Sequence, residues 1–178
     1  IDVVYRVFQL GQQYSWHIQS YVDDHLLCHH KNWQSDHYEQ QTGAIAEFLG
    51  DTIYTLSLEP NKLIAIDTEE GIDKIIDILT PLVGNRITLV RSQRDFLEIT
   101  APNVSKGRAL AQLALDNNLS LDNIVSFGNA ENDISMLSET GYSVAVSNAT
   151  EHVKSVANEV CGHHNEDGVA HWIEKNLL

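Results

Sequence analysis

Ile124-Val125-Ser126-Phe127-Gly128-Asn129-Ala130-Glu131-Asn132-Asp133-Ile134-Ser135-Met136-Leu137 passes from a short, mostly apolar run through a polar loop into a helical pattern. Ile124 to Phe127 predicts a strand, and its apolar character suits one covered on both faces, as in a parallel sheet. Gly128 lets the chain leave that strand sharply. A helix is predicted around Asp133 to Ser138. Upstream, Ser105 is positioned to cap a helix running to about Asp116, with Leu110, Leu113 and Ala114 as its inner face. Downstream come a strand at Tyr142 to Val146, a helix from about Glu151 to Ala157, and a last helix from near Asp167 to the end. Alternating strand and helix is the pattern of a right-handed parallel sheet. Ligands in such sheets bind at the carboxyl ends of strands, where the residues after Phe127 lie.

The region before Pro102 has a different texture. Ala101-Pro102-Asn103-Val104 punctuates the chain, because proline disfavours helix at the residue before it. Ile1 to Leu10 reads as the tail of a helix ending near Gly11. His17 to Val22 and Leu26 to His29 read as short strands, with Asp23-Asp24 as the turn between them. Ser35 to Thr42 suits a short helix, with Ser35 as cap and Gly43 as stop. Leu63 to Ile66 is a short apolar strand. Gly71 to Val83 is the clearest helix, since Ile72, Ile75, Ile76 and Leu79 fall on one stripe. Arg86 to Val90 and Phe96 to Thr100 are strand-like. The pattern predicts an α+β unit, an antiparallel sheet with helices on one face.

The chain has 178 residues, enough to bury a core without a disulfide or metal staple. Lys plus Arg number 11 against 25 Asp plus Glu, a formal charge of −14. Such a balance repels phosphate backbones and anionic bilayers, so neither nucleic acid nor membrane is expected as the main partner. A small phosphate in a local pocket remains compatible with it. No apolar run has the length of a membrane span. Cys28 and Cys161 form no framework, which points to a reducing, cytoplasmic setting. Ile1 is followed by no leader-like pattern and reads as a cut end.

The polar loop holds the densest set of candidate groups. Asn129, Asn132 and Asp133 offer oxygens to a hard cation. The same residues equally suit an ordinary capped helix start. Lys106 opens a helix, where a cation opposes the helix dipole and calls for a nearby anion. Cys28-His29-His30 and Cys161-Gly162-His163-His164 contain zinc-type ligands. However, alternating strand faces keep Cys28 and His29 from converging, and neither cluster has a finger spacing. They read as surface histidines. The nine histidines make the net charge less negative as the pH falls toward about 6. No glycine-rich strand-to-helix fingerprint supports a dinucleotide-binding reading.

Phe96-Leu97-Glu98-Ile99, Val104-Ser105-Lys106-Gly107 with Ala109-Leu110, Phe127 to Leu137, Val144-Ala145-Val146, Asn148-Ala149 and Glu166-Asp167-Gly168-Val169-Ala170 occur in an order that resembles the Cof-type sugar phosphatases of the haloacid dehalogenase superfamily. The resemblance implies an α/β fold. Residues 103–178 correspond to the C-terminal half of a Rossmann-like parallel-sheet core, and 1–102 to an inserted α+β cap domain with an antiparallel sheet. It also implies a magnesium-dependent phosphatase acting on small phosphorylated metabolites through an aspartyl-phosphate. Lys106 matches the lysine that steadies the phosphoryl charge, Asn132 a phosphate contact, and Asn129 and Asp133 the metal-supporting positions, with Lys106 and Asp133 as catalytic residues.

Two departures accompany the match. Asn129 stands where the family carries aspartate, so that position brings no negative charge. The family's first motif, Asp-x-Asp-Gly-Thr, is not in these residues; the nearest likeness, Leu63 to Glu69, has Glu69 for the second aspartate and no Gly-Thr. The chain alone is therefore expected to be inactive. The alternative is a non-catalytic or truncated module, self-associating through the edge of an incomplete sheet. No motif fixes the substrate-facing residues of the cap; Tyr21, Asp24 and Arg91 are candidates.

Overall fold

The computed structural model describes residues 2–55 and 59–178. Two compact units make up the chain, Ile1–Asn103 and Val104–Leu178.

In the first unit α1 (Asp2–Tyr14) precedes the hairpin β1 (His17–Val22) and β2 (His25–Cys28). Then come α2 (Trp33–Thr42), β3 (Ala46–Phe48), β4 (Lys62–Ile66), α3 (Glu69–Val83), β5 (Thr88–Gln93) and β6 (Phe96–Thr100). The described strands form one sheet in the order β3-β2-β1-β4-β6-β5. Asp23 and Asp24 both take positive φ, 47° and 67°, which makes the tight hairpin turn expected of them. Helix α1 does not stop at Gly11. That glycine is buried, and a Cβ there would lie 2.8 Å from Ile18 Cδ1, so it serves close helix-to-sheet approach. The break comes at Ser15, φ 58°.

Three further expectations for this unit are corrected. The sheet is mixed, because β3 runs parallel to β2. Helices cover both of its faces. Val7 and Phe8 of α1 and Ile72, Ile75 and Leu79 of α3 pack on Ile18, Leu63, Ala65, Leu97 and Ile99. Tyr38 of α2 packs on the other face with Leu26, Cys28, Ile64, Ile66 and Phe96. This double cover is why Leu63 to Ile66 reads as an unbroken apolar run. Finally, Asn32 rather than Ser35 caps α2. Its side chain accepts from Ser35 N while Ser35 Oγ accepts from Asn32 N, a reciprocal capping box. Gly43, φ 73°, ends the helix as expected.

The second unit contains α4 (Lys106–Asp116), β7 (Val125–Gly128), α5 (Ile134–Glu139), β8 (Tyr142–Val146), α6 (Glu151–Val156), β9 (Glu159–Cys161) and α7 (Gly168–Asn176). Strands β7, β8 and β9 pair in parallel in that order. Strand β9 gives no sequence signal, being three residues long and largely exposed. Leu137, Ala145, Val146, Ala149 and Val153 form the core of this unit. Ser105 caps α4 by accepting from Arg108 N. The inner face of α4 needs correction. Gly107 and Ala114 are buried, Leu110 is half-buried, and Leu113 is 59% exposed. Contact is made through the start of the helix, where a Cβ on Gly107 would sit 2.5 Å from the Ser135 carbonyl oxygen. No helix of the described residues is long and apolar enough to cross a membrane.

Candidate active site

Strand β7 ends at Gly128, and the next five residues make a loop and a single 3-10 turn, Glu131–Asp133, before α5. A Cβ on Gly128 would meet the Asp133 Cβ at 2.7 Å, so glycine here lets the Asp133 side chain fold back under the strand end. Asp133 is 3% exposed. Its Oδ2 accepts from the backbone N–H groups of Asn129 (2.8 Å) and Ala130 (3.1 Å). Its Oδ1 lies 2.5 Å from Lys106 Nζ at the start of α4. Burying a carboxylate is costly unless it is paired and hydrogen-bonded, and three partners meet that need.

The anion that Lys106 calls for is therefore Asp133, 27 positions along the chain. The lysine side chain is 51% exposed, and its ammonium has two donors beyond the one on Asp133. Asn129 is exposed directly after the strand. Asn132 is half-buried, and its Oδ1 is buried with no hydrogen-bond partner among the described residues. Gly107 N donates to Ser135 Oγ (3.1 Å), which ties α4 to α5 behind the lysine. The residues singled out in the sequence at 106, 129, 132 and 133 thus share one strand end.

Sequence reasoning missed Glu131, Thr150 and His152. Glu131 Oε1 accepts from Thr150 Oγ1 (3.1 Å), and its Oε2 lies 2.8 Å from His152 Nδ1. Only the N-cap signature of Thr150 is legible in sequence. The two Cys/His clusters show no shared ligand set among the described residues. Cys28 is fully buried, and burial pushes its thiol up to about 12. It faces Gln19, whereas His29 contacts His30 and Asp51. Among the described residues no three His, Cys, Asp or Glu side chains are grouped to hold a metal ion. Asp67 Oδ1 accepts from Thr68 N at the start of α3. Of the substrate-facing candidates, Arg91 pairs with Asp73 and Glu69 of α3, Lys62 lies over the Tyr21 ring at 5.4 Å, and Asp24 sits in the hairpin turn.

The oxygens of Asp133, Asn129 and Asn132 at the strand end are hard donors, which suits magnesium. A carboxylate has about four acceptor positions, and three on Asp133 are taken. Asn129 then contributes a neutral oxygen. These residues fit one edge of a magnesium site and do not close it.

The sequence profile of haloacid dehalogenase-like hydrolases matches residues 2–173. The chain belongs to that family. This haloacid dehalogenase-like chain is 41% identical over 92 residues to the phosphatase YwpJ of Bacillus subtilis, a match covering 52% of the chain and 32% of YwpJ. It is 38% identical over 110 residues to the chloroplastic endoribonuclease YBEY of Arabidopsis thaliana, covering 61% of the chain and 19% of that protein. It therefore spans less than half the length of either relative. The crystal structure of TM0651 from Thermotoga maritima is similar over 99% of the chain and 67% of TM0651, with 29% identity and a TM-score of 0.82. The α/β fold expected from the sequence agrees with that structure.

Proposed function

We propose that these residues supply the second half-site of a magnesium-dependent, cytoplasmic phosphatase that hydrolyses small phosphorylated metabolites such as sugar phosphates. The observation that carries this reading is the Lys106 ammonium, held on buried Asp133 beside Asn129 and Asn132 at the carboxyl end of β7. Phosphoryl transfer is mainly positioning and charge neutralisation. In this reading Lys106 directs its two remaining donors at phosphoryl oxygens. Asp133 keeps that ammonium charged and aimed. The Asn132 amide takes a phosphoryl oxygen through nitrogen, or a substrate hydroxyl through oxygen. Asn129, with the remaining acceptor position of Asp133, supports magnesium. Bound magnesium would neutralise phosphoryl charge and orient the phosphate for in-line attack.

Residues 103–178 then act as half of the catalytic core, and residues 1–102 as the cap that chooses the substrate. In this reading none of the aspartates among the 178 residues is the nucleophile. The chain should accordingly bind inorganic phosphate with magnesium present but not turn over p-nitrophenyl phosphate. Lys106→Ala should weaken phosphate binding at least about tenfold, the scale of one lost charge-assisted contact. Unchanged phosphate binding in Lys106→Ala would remove the assignment. Turnover by the chain that Lys106→Ala abolishes would show that no further nucleophile is needed.

A second reading, a non-catalytic module that self-associates, is favoured by the neutral Asn129 and by Leu113, Leu115 and Leu119, which are 59%, 69% and 59% exposed. Sedimentation at several concentrations separates the two. A monomer throughout counts against association.

A further inference from the structure

The loop carrying Asn129, Asn132 and Asp133 is anchored on two sides. Lys106 and two backbone N–H groups hold Asp133 on one side. On the other, the single carboxylate of Glu131 takes two partners from the start of α6, Thr150 Oγ1 at 3.1 Å and His152 Nδ1 at 2.8 Å. Thr150 is itself the cap of α6. Its Oγ1 accepts from Val153 N at 3.3 Å, which directs its hydroxyl proton toward Glu131. One hydroxyl therefore joins the helix start to the loop.

Glu131 and His152 side chains are 40% and 64% exposed. Ion pairs so exposed add little to global stability. Two directed contacts on one carboxylate do restrict its rotation and that of the 3-10 turn it opens. The next residue is Asn132, whose buried Oδ1 has no hydrogen-bond partner among the described residues. An unpaired buried amide oxygen contributes no hydrogen bond to holding its own conformation, so the loop around it must be held by its neighbours.

We infer that Glu131 is a positioning residue: with Thr150 and His152 it clamps the loop so that the Asn132 amide and Asn129 stay presented at the end of β7. What the loop receives, a phosphate, rests on the function proposed above; the clamp itself does not.

The test uses the 178-residue chain at about pH 8. Amide exchange at Asn129, Ala130 and Asp133 reports loop order, since these N–H groups bond within the loop. Glu131→Ala should speed their exchange at least about fivefold without lowering Tm, the signature of local rather than global opening. Glu131→Gln should stay within about twofold of the parent, because its Oε1 still accepts from Thr150 and its Nε2–H donates to His152 Nδ1. His152→Ala removes one arm at an exposed position and should fall between them. Inorganic phosphate, followed through the Asn132 side-chain amide signal, should bind about threefold or more weaker to Glu131→Ala and recover in Glu131→Gln. Exchange in Glu131→Ala equal to the parent overturns the clamp. So does a Tm loss shared by Glu131→Ala and Glu131→Gln, which would make Glu131 merely structural. If the parent chain binds no phosphate, the phosphatase reading fails, and the exchange rates alone decide the clamp.

Discussion

The two units use their sheets differently. In Ile1–Asn103 helices bury both faces of the sheet, and β4 at its centre contributes Leu63, Ile64, Ala65 and Ile66 to one core or the other. In Val104–Leu178 a three-stranded sheet surrounds a core of mostly small side chains, Ala145, Val146, Ala149 and Val153, with Leu137. The candidate chemistry lies wholly in the thinner unit. Stability and preorganised polar groups are thus carried by different parts of the chain. The second unit holds its site with hydrogen bonds and close glycine contacts more than with apolar mass.

The sharpest way to break that comparison is to cut equally into both units. Leu79→Ala, at a fully buried position of α3, should cost the first unit about 2–5 kcal/mol in urea unfolding. In the second unit, Gly107→Ala puts a methyl 2.5 Å from the Ser135 carbonyl oxygen, and backbone must move. It should cost about 1–3 kcal/mol and displace Lys106 from Asp133, visible as a changed Lys106 Nζ signal. A stability loss confined to the first unit in both variants would contradict the division.

Asp133→Asn is next in size. One amide cannot accept from Lys106 and from both loop N–H groups, because its nitrogen must face one of them as a donor. The second unit should lose about 1–3 kcal/mol, read by urea unfolding. A smaller effect comes from thiol labelling in rising urea. Cys28 is buried, and its thiol is pushed up to about 12, whereas Cys161, also raised by burial, is partly exposed. Cys161 should react first, reporting the second unit, and Cys28 should stay protected until the first unit unfolds. Simultaneous labelling would join the two units into one transition.

The smallest expected effect is a pH slope. His17 is buried, and burial lowers its pKa below the ordinary value. Its Nε2–H donates to Gln19 Oε1 while Nδ1 accepts from Asn32 Nδ2, so the folded state holds it neutral. Both states are neutral above the unfolded value of about 6.5. As the pH falls below that value the unfolded state takes the proton first, so stability drops down to the folded pKa and then levels. His25 is raised through Glu47 and acts with the opposite sign, losing its contribution as pH rises through its folded pKa. His17→Gln should therefore flatten only the acid-side slope in a Tm-against-pH series.

Elements with strong local chemistry were legible from sequence. The stripe at Ile72, Ile75 and Leu79, the Asp23-Asp24 hairpin and the Ser105 cap all appear where their patterns place them. Short elements were not. Strands β3 and β9 each have three residues, too few for alternation to register, and their pairing comes from neighbours far along the chain. Asn32 displaced Ser35 as the cap because two capping residues three apart satisfy each other, a choice that composition leaves open.

By itself the sequence determined the alternation of strand and helix after Ser105, the polar loop behind Phe127, and the residue types gathered there. Those follow from local propensity and from the spacing of apolar side chains. Only the tertiary structure decided that Asp133 turns inward to meet Lys106, that the Asn132 oxygen is buried, and that Glu131 reaches α6. These depend on where β7, α4, α5 and α6 pack together, and hydrogen bonds between residues 19 to 27 positions apart leave no periodic trace in the chain.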